Sequence, residues 1–209
     1  MKVAIYGERC SGTTYLQELL LLNFDVELTS NYGWKHFFGF HDLSSTEDVV
    51  FIGIIRNLQD WINSLYREKH HLPEELTKNV DSFLTSPFYS IDNGEIMEDR
   101  HIQTHERYKN IFELRLVKNK FLMETMYTKV KHYHLIVYEE LCGDFKYTMS
   151  KLASILPIKH PEFPVNVTYY KQYPHIEFVK KKNEISYEQI LPHVNKQLLF
   201  YEDLLSPNL

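Results

Sequence analysis

Cysteine and glycine are both scarce in this chain, two and seven among 209 residues. Cys10 and Cys142 lie far apart and neither belongs to a Cys-x-x-Cys pair. That excludes the usual zinc-ligand spacing and a disulfide framework, and a reducing, cytoplasmic compartment is expected. So little glycine, with no repeats or biased tracts, leaves no sign of a flexible linker. Long apolar runs are missing as well. None approaches the ~20 residues that span a bilayer, and MKVAIYGE starts on a strand-like run with no basic leader and apolar core, so a soluble protein without a membrane span is expected. Positive charge is not in excess either: 23 Lys and Arg stand against 28 Asp and Glu, a formal net charge of −5. Holding nucleic acid or an anionic membrane takes a broad basic face. No nucleic-acid partner is expected, and any anion site must be local.

What is present is enough apolar side chain, 44% of the residues, to bury one core, and a single domain over 1–209 is expected. Val3-Ala4-Ile5-Tyr6 is a short apolar run ending at Gly7, followed by a Gly/Ser/Thr turn and the leucine-rich stretch Tyr15 to Leu22: strand, loop, helix. Residues 24–29 are a candidate short strand. VVFIGII, residues 49–55, is continuously apolar, as in a parallel strand covered on both faces. Leu58, Trp61, Ile62 and Leu65 then recur at helical spacing behind Asn57 and Asp60, which have the N-cap and N3 chemistry of a helix start. Further on, the pattern predicts a short helix over 74–83, a long one over 102–129, a strand at 134–138 and a helix over 145–156 stopped by Pro157. A last helix is predicted over 186–205, bent near Pro192. Strands alternating with helices predict an α/β fold with a mainly parallel sheet. About 72–130 would form a largely helical insertion, and 165–209 a C-terminal basic segment and helix.

The first loop, Gly7-Glu8-Arg9-Cys10-Ser11-Gly12, has the spacing of a phosphate-binding loop, but Thr13 stands where a nucleotidase carries lysine. Between strand and helix, such a loop turns backbone N–H groups inward beside a partly positive helix N-terminus, and these hold phosphate without a side-chain cation. Thr13 and Thr14 add hydroxyl donors. A phosphoryl-transfer enzyme needs the missing lysine and a magnesium-binding aspartate at a strand end; VVFIGII ends in Arg56 instead. The plain alternative is a turn that merely joins strand to helix. IIRNLQDWINSLY next places Arg56 at the end of a strand and Ser64 eight residues later on a helix. Alone, Arg56 would serve equally in a surface ion pair and Ser64 as ordinary helix polarity.

With these residues the chain resembles the sulfotransferases that use 3′-phosphoadenosine 5′-phosphosulfate (PAPS). In that family an SGTT-like strand–loop–helix binds the 5′-phosphosulfate, and the Arg and Ser of an RNPxDxxxSxY-like segment bind the 3′-phosphate. Cys10-Ser11-Gly12-Thr13-Thr14-Tyr15-Leu16 is similar to the first pattern, and Arg56, Asn57, Asp60, Ser64 and Tyr66 to the second. HLIVYEELCGDF looks like the family's late strand, YEDL turn and following helix, so the likeness spans roughly the first and third quarters of the chain. The resemblance implies a three-layer P-loop-like fold and PAPS as cofactor, with 3′-phosphoadenosine 5′-phosphate (PAP) as product. It implies cofactor contacts from Arg9, Cys10, Ser11, Gly12, Thr13, Thr14, Tyr15, Arg56 and Ser64. A sulfonate would pass to a hydroxyl or amine of a small-molecule or glycan acceptor, on the side of the helical insertion, with no metal required.

The acceptor's proton needs a base. NYGWKHFFGFHD fills the interval in which cytosolic members carry a lysine and a catalytic histidine, at a different spacing. The resemblance implies His36 as the base, close to neutral in its ordinary pKa, and Lys35 as the cation on the bridging oxygen and sulfonate. His41 and Asp42 are rivals, since other branches use a glutamate. Trp34, Phe37, Phe38 and Phe40 can equally form an apolar wall that the histidines cap. Arg9 departs from the pattern: the family's basic loop residue falls at Cys10, one position later. Cys10 itself has the helix-start setting of an activated thiol, though no covalent step is implied. Lys180-Lys181-Lys182 is placed to close the cofactor site as a late basic loop, yet lacks the family's RKG pattern and otherwise reads as a solvated charge run.

Other features are weaker. His101 and His105 share a helical face at i, i+4 with no third metal ligand. Asn110, Glu113, Arg115 and Lys118 can line an acceptor cleft or be ordinary surface charges. Tyr169, Tyr170 and Tyr173 can stack on an acceptor or pack in the tail. Two rivals to a sulfotransferase are a P-loop nucleotide or nucleoside kinase and a non-catalytic nucleotide-binding protein that keeps the cradle as scaffold.

Overall fold

The computed structural model describes residues 1–92, 95–97, 99–169, 177–179 and 181–205. Its main elements are β1 Lys2–Tyr6, α1 Thr13–Asn23, β2 Glu27–Leu28, β3 Val49–Ile55, α2 Leu58–Arg67, α3 Ile111–Lys120, β4 Tyr133–Val137, α4 Tyr138–Gly143, α5 Phe145–Ala153 and α6 Lys196–Leu205. They fall into two compact units, Met1–Arg56 with Glu124–Lys181, and Asn57–Met123 with Lys182–Leu209.

The first unit is an α/β structure around a four-stranded, all-parallel sheet in the order β2-β1-β3-β4, flanked by helices. Its strands alternate cleanly. Val50, Ile52, Ile54 and Ile136 face one side, where Leu16 and Leu19 of α1, Leu141 of α4 and Met149 of α5 bury them. Phe51 faces the other side, with Tyr6 at 5.5 Å and Tyr32 at 5.6 Å between ring centroids, and Phe38 stacked on Tyr6 at 5.2 Å. Every residue of β3 is buried, as its unbroken apolar run requires. The chain leaves β1 for β2 on one side and later takes β3 to its other side. Between β1 and β3 the strand order therefore reverses, and in open parallel sheets a ligand crevice lies outside the carboxyl ends of such a pair.

The second unit is built on α2. Asn57 caps it, its side chain accepting the Asp60 N–H at 2.9 Å, as the sequence predicts. Asn63, fully buried, takes the N–H groups of Glu184 and Ile185, both at 2.7 Å, and gives its own N–H groups to the carbonyls of Ile185 and Gln59, both at 2.9 Å. Asn183 adds a bond to Asp60 at 3.0 Å. Arg115 on α3 forks onto Glu202 of α6 at 2.7 and 2.8 Å and lies 4.8 Å over the Trp61 ring. Glu202 also takes the first helical N–H of α2, at Leu58, at 3.1 Å.

Several expectations change here. Arg115 and Lys118 are neither cleft residues nor surface charges. Both are buried, Lys118 against Asp99 at 3.6 Å, with Ser90 bonded to the same carboxylate. Asn110 caps α3 by accepting the Phe112 and Glu113 N–H groups at 3.1 and 3.0 Å, so the long helix starts at Ile111, not near residue 102. It continues through a π-helical turn, Phe121–Thr125, to Met126–Lys129. His101 and His105 therefore share no helical face. His105 has a left-handed backbone (φ 61°), and the His101 ring is turned onto the N–H groups of Gln103 and Thr104. Asn79 restarts the helix predicted over 74–83, giving Glu74–Thr77 and Val80–Thr85. The last helix breaks rather than bends: Tyr187–Ile190, a 3₁₀ turn holding Pro192, then α6, which Asn195 starts by accepting the Leu198 N–H at 2.8 Å. Of residues 24–29, only Glu27 and Leu28 join the sheet, and α5 ends at Ala153.

Asn63→Ala leaves the buried N–H and carbonyl of Ile185 and the partly buried N–H of Glu184 without this partner. It is expected to lower unfolding free energy by about 2–4 kcal/mol in a urea titration. A loss below about 1 kcal/mol would mean that solvent replaces the side chain.

Candidate phosphate-binding site

Gly7 and Arg56 leave the carboxyl ends of the neighbouring strands β1 and β3. The loop between Gly7 and α1 is shaped by close approach. A Cβ on Gly7 would stand 2.7 Å from the Ile54 carbonyl, and one on Gly12 would stand 2.3 Å from the Tyr138 ring. Gly12 is also left-handed (φ 92°), as is Cys10 (φ 63°), a residue type that rarely takes this shape. Ser11 N–H closes the turn onto the Glu8 carbonyl at 3.2 Å. The first intrahelical bond of α1 runs from Leu16 to Gly12 at 2.9 Å, so the N–H groups of Thr13, Thr14 and Tyr15 have no intrahelical acceptor. Among the described residues α1 has no side-chain cap and no acid in its first turn. Its positive end is thus not neutralised from within.

Three cations surround this loop. Lys35, half-buried, donates from Nζ to the Thr14 hydroxyl at 3.2 Å, and burial lowers its pKa below the ordinary lysine value. Arg56 donates to the Cys10 carbonyl at 3.2 Å and lies 4.7 Å over the Tyr138 ring. Arg9, buried, lies 5.0 Å over Trp34 and 5.3 Å over Phe37. The aromatic wall therefore has a definite task. Trp34 and Phe37 receive the arginine that sits one position earlier than the family pattern asks, and Phe38 packs into the core.

Lys35 and His36 are tied to the loop by its first residue. Gly7 N–H donates to the Lys35 carbonyl at 2.9 Å, and His36 Nδ1 lies 2.7 Å from the Gly7 carbonyl oxygen. A carbonyl only accepts, so neutral His36 carries its proton on Nδ1 and keeps Nε2 as the basic nitrogen. His36 is buried, with Trp34 edge-on at 4.7 Å. The rivals are placed differently. His41 and Asp42 are exposed, and Asp42 accepts from the Ser44 N–H and hydroxyl, both at 2.9 Å, which hold its carboxyl below the usual range. A carboxylate so stabilised is a weak base.

Tyr138 was not among the residues the sequence singles out. It opens α4, directly after β4, packs on Gly12, carries the Arg56 guanidinium, and lies 6.2 Å edge-on from Tyr15. Its one sequence signal is its place at a strand end, the first residue of YEEL. Burial pushes the Tyr15 hydroxyl to about 12, with Cys142 adding and Asn166 opposing; the protonated hydroxyl donates to Asn166 Oδ1 at 2.6 Å. Phe178 packs on the Tyr15 ring at 5.1 Å.

No protein-family model, curated protein or solved structure matches the chain.

The other candidate residues have the following settings. Ser64 is half-buried on α2, in the second unit, and its carbonyl takes the Glu68 N–H at 3.2 Å. Lys181 ends a segment of the first unit and Lys182 begins one of the second; both are exposed, and the Lys182 carbonyl accepts from Arg67 at 3.0 Å. Lys180, Tyr170 and Tyr173 lie outside the described residues, and Tyr169 is exposed. Cys10 is half-buried in the loop and neither it nor Cys142 forms a disulfide. Among the described residues no group of three His, Cys, Asp or Glu could hold a metal, and no helix is long and apolar enough to cross a membrane.

Gly12→Ala combines a left-handed alanine with a clash against Tyr138. It is expected to lower stability by about 2–4 kcal/mol by chemical denaturation, and Tyr138→Ala in the same chain should recover only the steric share. Lys35 gives a second test. With its folded pKa lowered, the unfolded chain holds more protons than the native one between that value and 10.5, so stability rises with pH across this window. Lys35→Met is expected to remove the rise. A wild-type-minus-mutant difference that stays flat as pH approaches 10.5 would contradict it.

Proposed function

We propose that the protein is a sulfotransferase of P-loop-like fold that uses PAPS and moves its sulfonate to a hydroxyl or amine of a small-molecule or glycan acceptor. One observation carries most of the weight: Lys35 reaches the α1 side of the loop at Thr14, while Arg56 reaches the Cys10 carbonyl from the neighbouring strand end. The loop's missing lysine is thereby supplied from outside it, and the strand end where a kinase keeps a magnesium-binding aspartate holds a cation instead. The N–H groups at the uncapped start of α1 fit a phosphosulfate group. By the family likeness, Arg56 would hold the 3′-phosphate that distinguishes PAPS from ATP.

PAPS supplies a sulfonate on a phosphate leaving group, so the acceptor oxygen or nitrogen bonds to sulfur as the sulfur–oxygen bond to phosphate breaks. The backbone N–H groups at the start of α1 and the Thr13 and Thr14 hydroxyls donate to the negative oxygens. Lys35, poorly solvated, gains an anionic partner and stabilises the charge that gathers on the bridging oxygen. His36 takes the acceptor's proton at Nε2, and the Gly7 carbonyl holds the ring and favours the imidazolium that forms.

Calorimetry with PAP and ADP separates this from a kinase. PAP is expected to bind at least tenfold more tightly, and Arg56→Ala to erase the preference; equal affinities would sink the proposal. With PAPS and a panel of phenols and sugars, His36→Ala is expected to lose about 10²–10⁴-fold in turnover at unchanged PAP affinity. PAP binding with no turnover on any acceptor would instead mark a binding protein.

A further inference from the structure

The parallel sheet has two edges, and they are unlike. One is β2, two residues long, which offers almost nothing to pair with. The other is β4, Tyr-His-Leu-Ile-Val, with no proline and no Lys, Arg, Asp or Glu inside it. The Phe51 N–H donates to the His132 carbonyl at 2.9 Å, and β3 and β4 stay in register from Phe51 and Tyr133 to Ile55 and Val137. By strand alternation the backbone groups of His134 and Ile136 face β3, and those of Tyr133, Leu135 and Val137 face away from it. Among the described residues no strand or bridge pairs with that outer row. Where β3 is buried throughout, His134, Leu135 and Val137 are only half-buried. Natural sheets protect such an edge with a charge, a proline, a bulge or a cover.

The charges that flank β4 say what cover fits. Lys129, Lys131 and His132 precede the strand and Glu139 and Glu140 follow it; Lys129, Lys131, His132 and Glu140 are exposed and Glu139 is half-exposed. We propose that a second copy of this chain pairs antiparallel along β4, about a two-fold axis at Leu135. In that register the outward groups of Leu135 meet their own copies, Tyr133 stands opposite Val137, and Val137, whose carbonyl begins α4, contributes its N–H. The basic segment before each strand meets the acidic start of α4 that follows the other. A parallel pairing in register would set lysine beside lysine and glutamate beside glutamate, so the charge pattern selects the antiparallel, isologous contact. The two phosphate loops then open at opposite ends of the joined sheet, and both stay accessible.

Light scattering on a sizing column is expected to give twice 25.1 kDa at micromolar protein. Lys129→Glu with Lys131→Glu should raise the dimer dissociation constant roughly tenfold or more, as should Glu139→Lys with Glu140→Lys, and the four changes together should restore it. Circular dichroism confirms that each variant is folded. Hydrogen exchange should find the Leu135 amide protected in the dimer and released in the dissociated variants. A wild-type mass of 25.1 kDa overturns the proposal. So does a dimer indifferent to the reversals, a folded four-change chain that stays apart, or a dimer in which Leu135 exchanges freely.

Discussion

The approach of the Tyr138 ring to Gly12 is the contact on which the rest of the first unit's loop end depends. With glycine at position 12 the ring can close on the backbone, and with the ring there the Arg56 guanidinium has a face to lie on and the Cys10 carbonyl to donate to. Three consecutive parallel strands, β1, β3 and β4, thus send one residue or loop each to the same spot. That convergence needs no long insertion. It follows from their adjacency in the sheet and from the fact that parallel strands all deliver their carboxyl ends to one side.

Charge is handled differently in the two units. Around the loop, Arg9 and Arg56 lie over aromatic faces, Arg56 also donates to a carbonyl oxygen, and Lys35 donates to a hydroxyl. In the second unit, Arg115 and Lys118 meet the carboxylates of Glu202 and Asp99.

Much of this was legible in the sequence wherever the signal was local. The strand, loop and start of α1, the all-apolar β3 and the Asn57 cap of α2 follow from residue order alone, because burial on two faces and capping act within a few residues. What could not be read depends on partners distant along the chain. Arg115 looks like a surface charge until Glu202, 87 residues later, is beside it. The overlong helix before Ile111 arose because apolar spacing says nothing of the left-handed turn at His105 or of Asn110 capping from outside. Arg9, one position out of place in the pattern, finds its setting in Trp34 and Phe37, which the pattern does not include. Tyr138 was missed because its contact is with a glycine, a residue that leaves no side chain to suggest a neighbour.

Gly7 uses both its backbone donor and its backbone acceptor on one short segment, its N–H on the Lys35 carbonyl and its carbonyl on the His36 ring. That makes it a coupling pin between loop and wall. Moving the loop backbone at Gly7 would bend or break the hydrogen bonds to Lys35 and to His36 together, so the position of both residues is fixed by one that has no side chain.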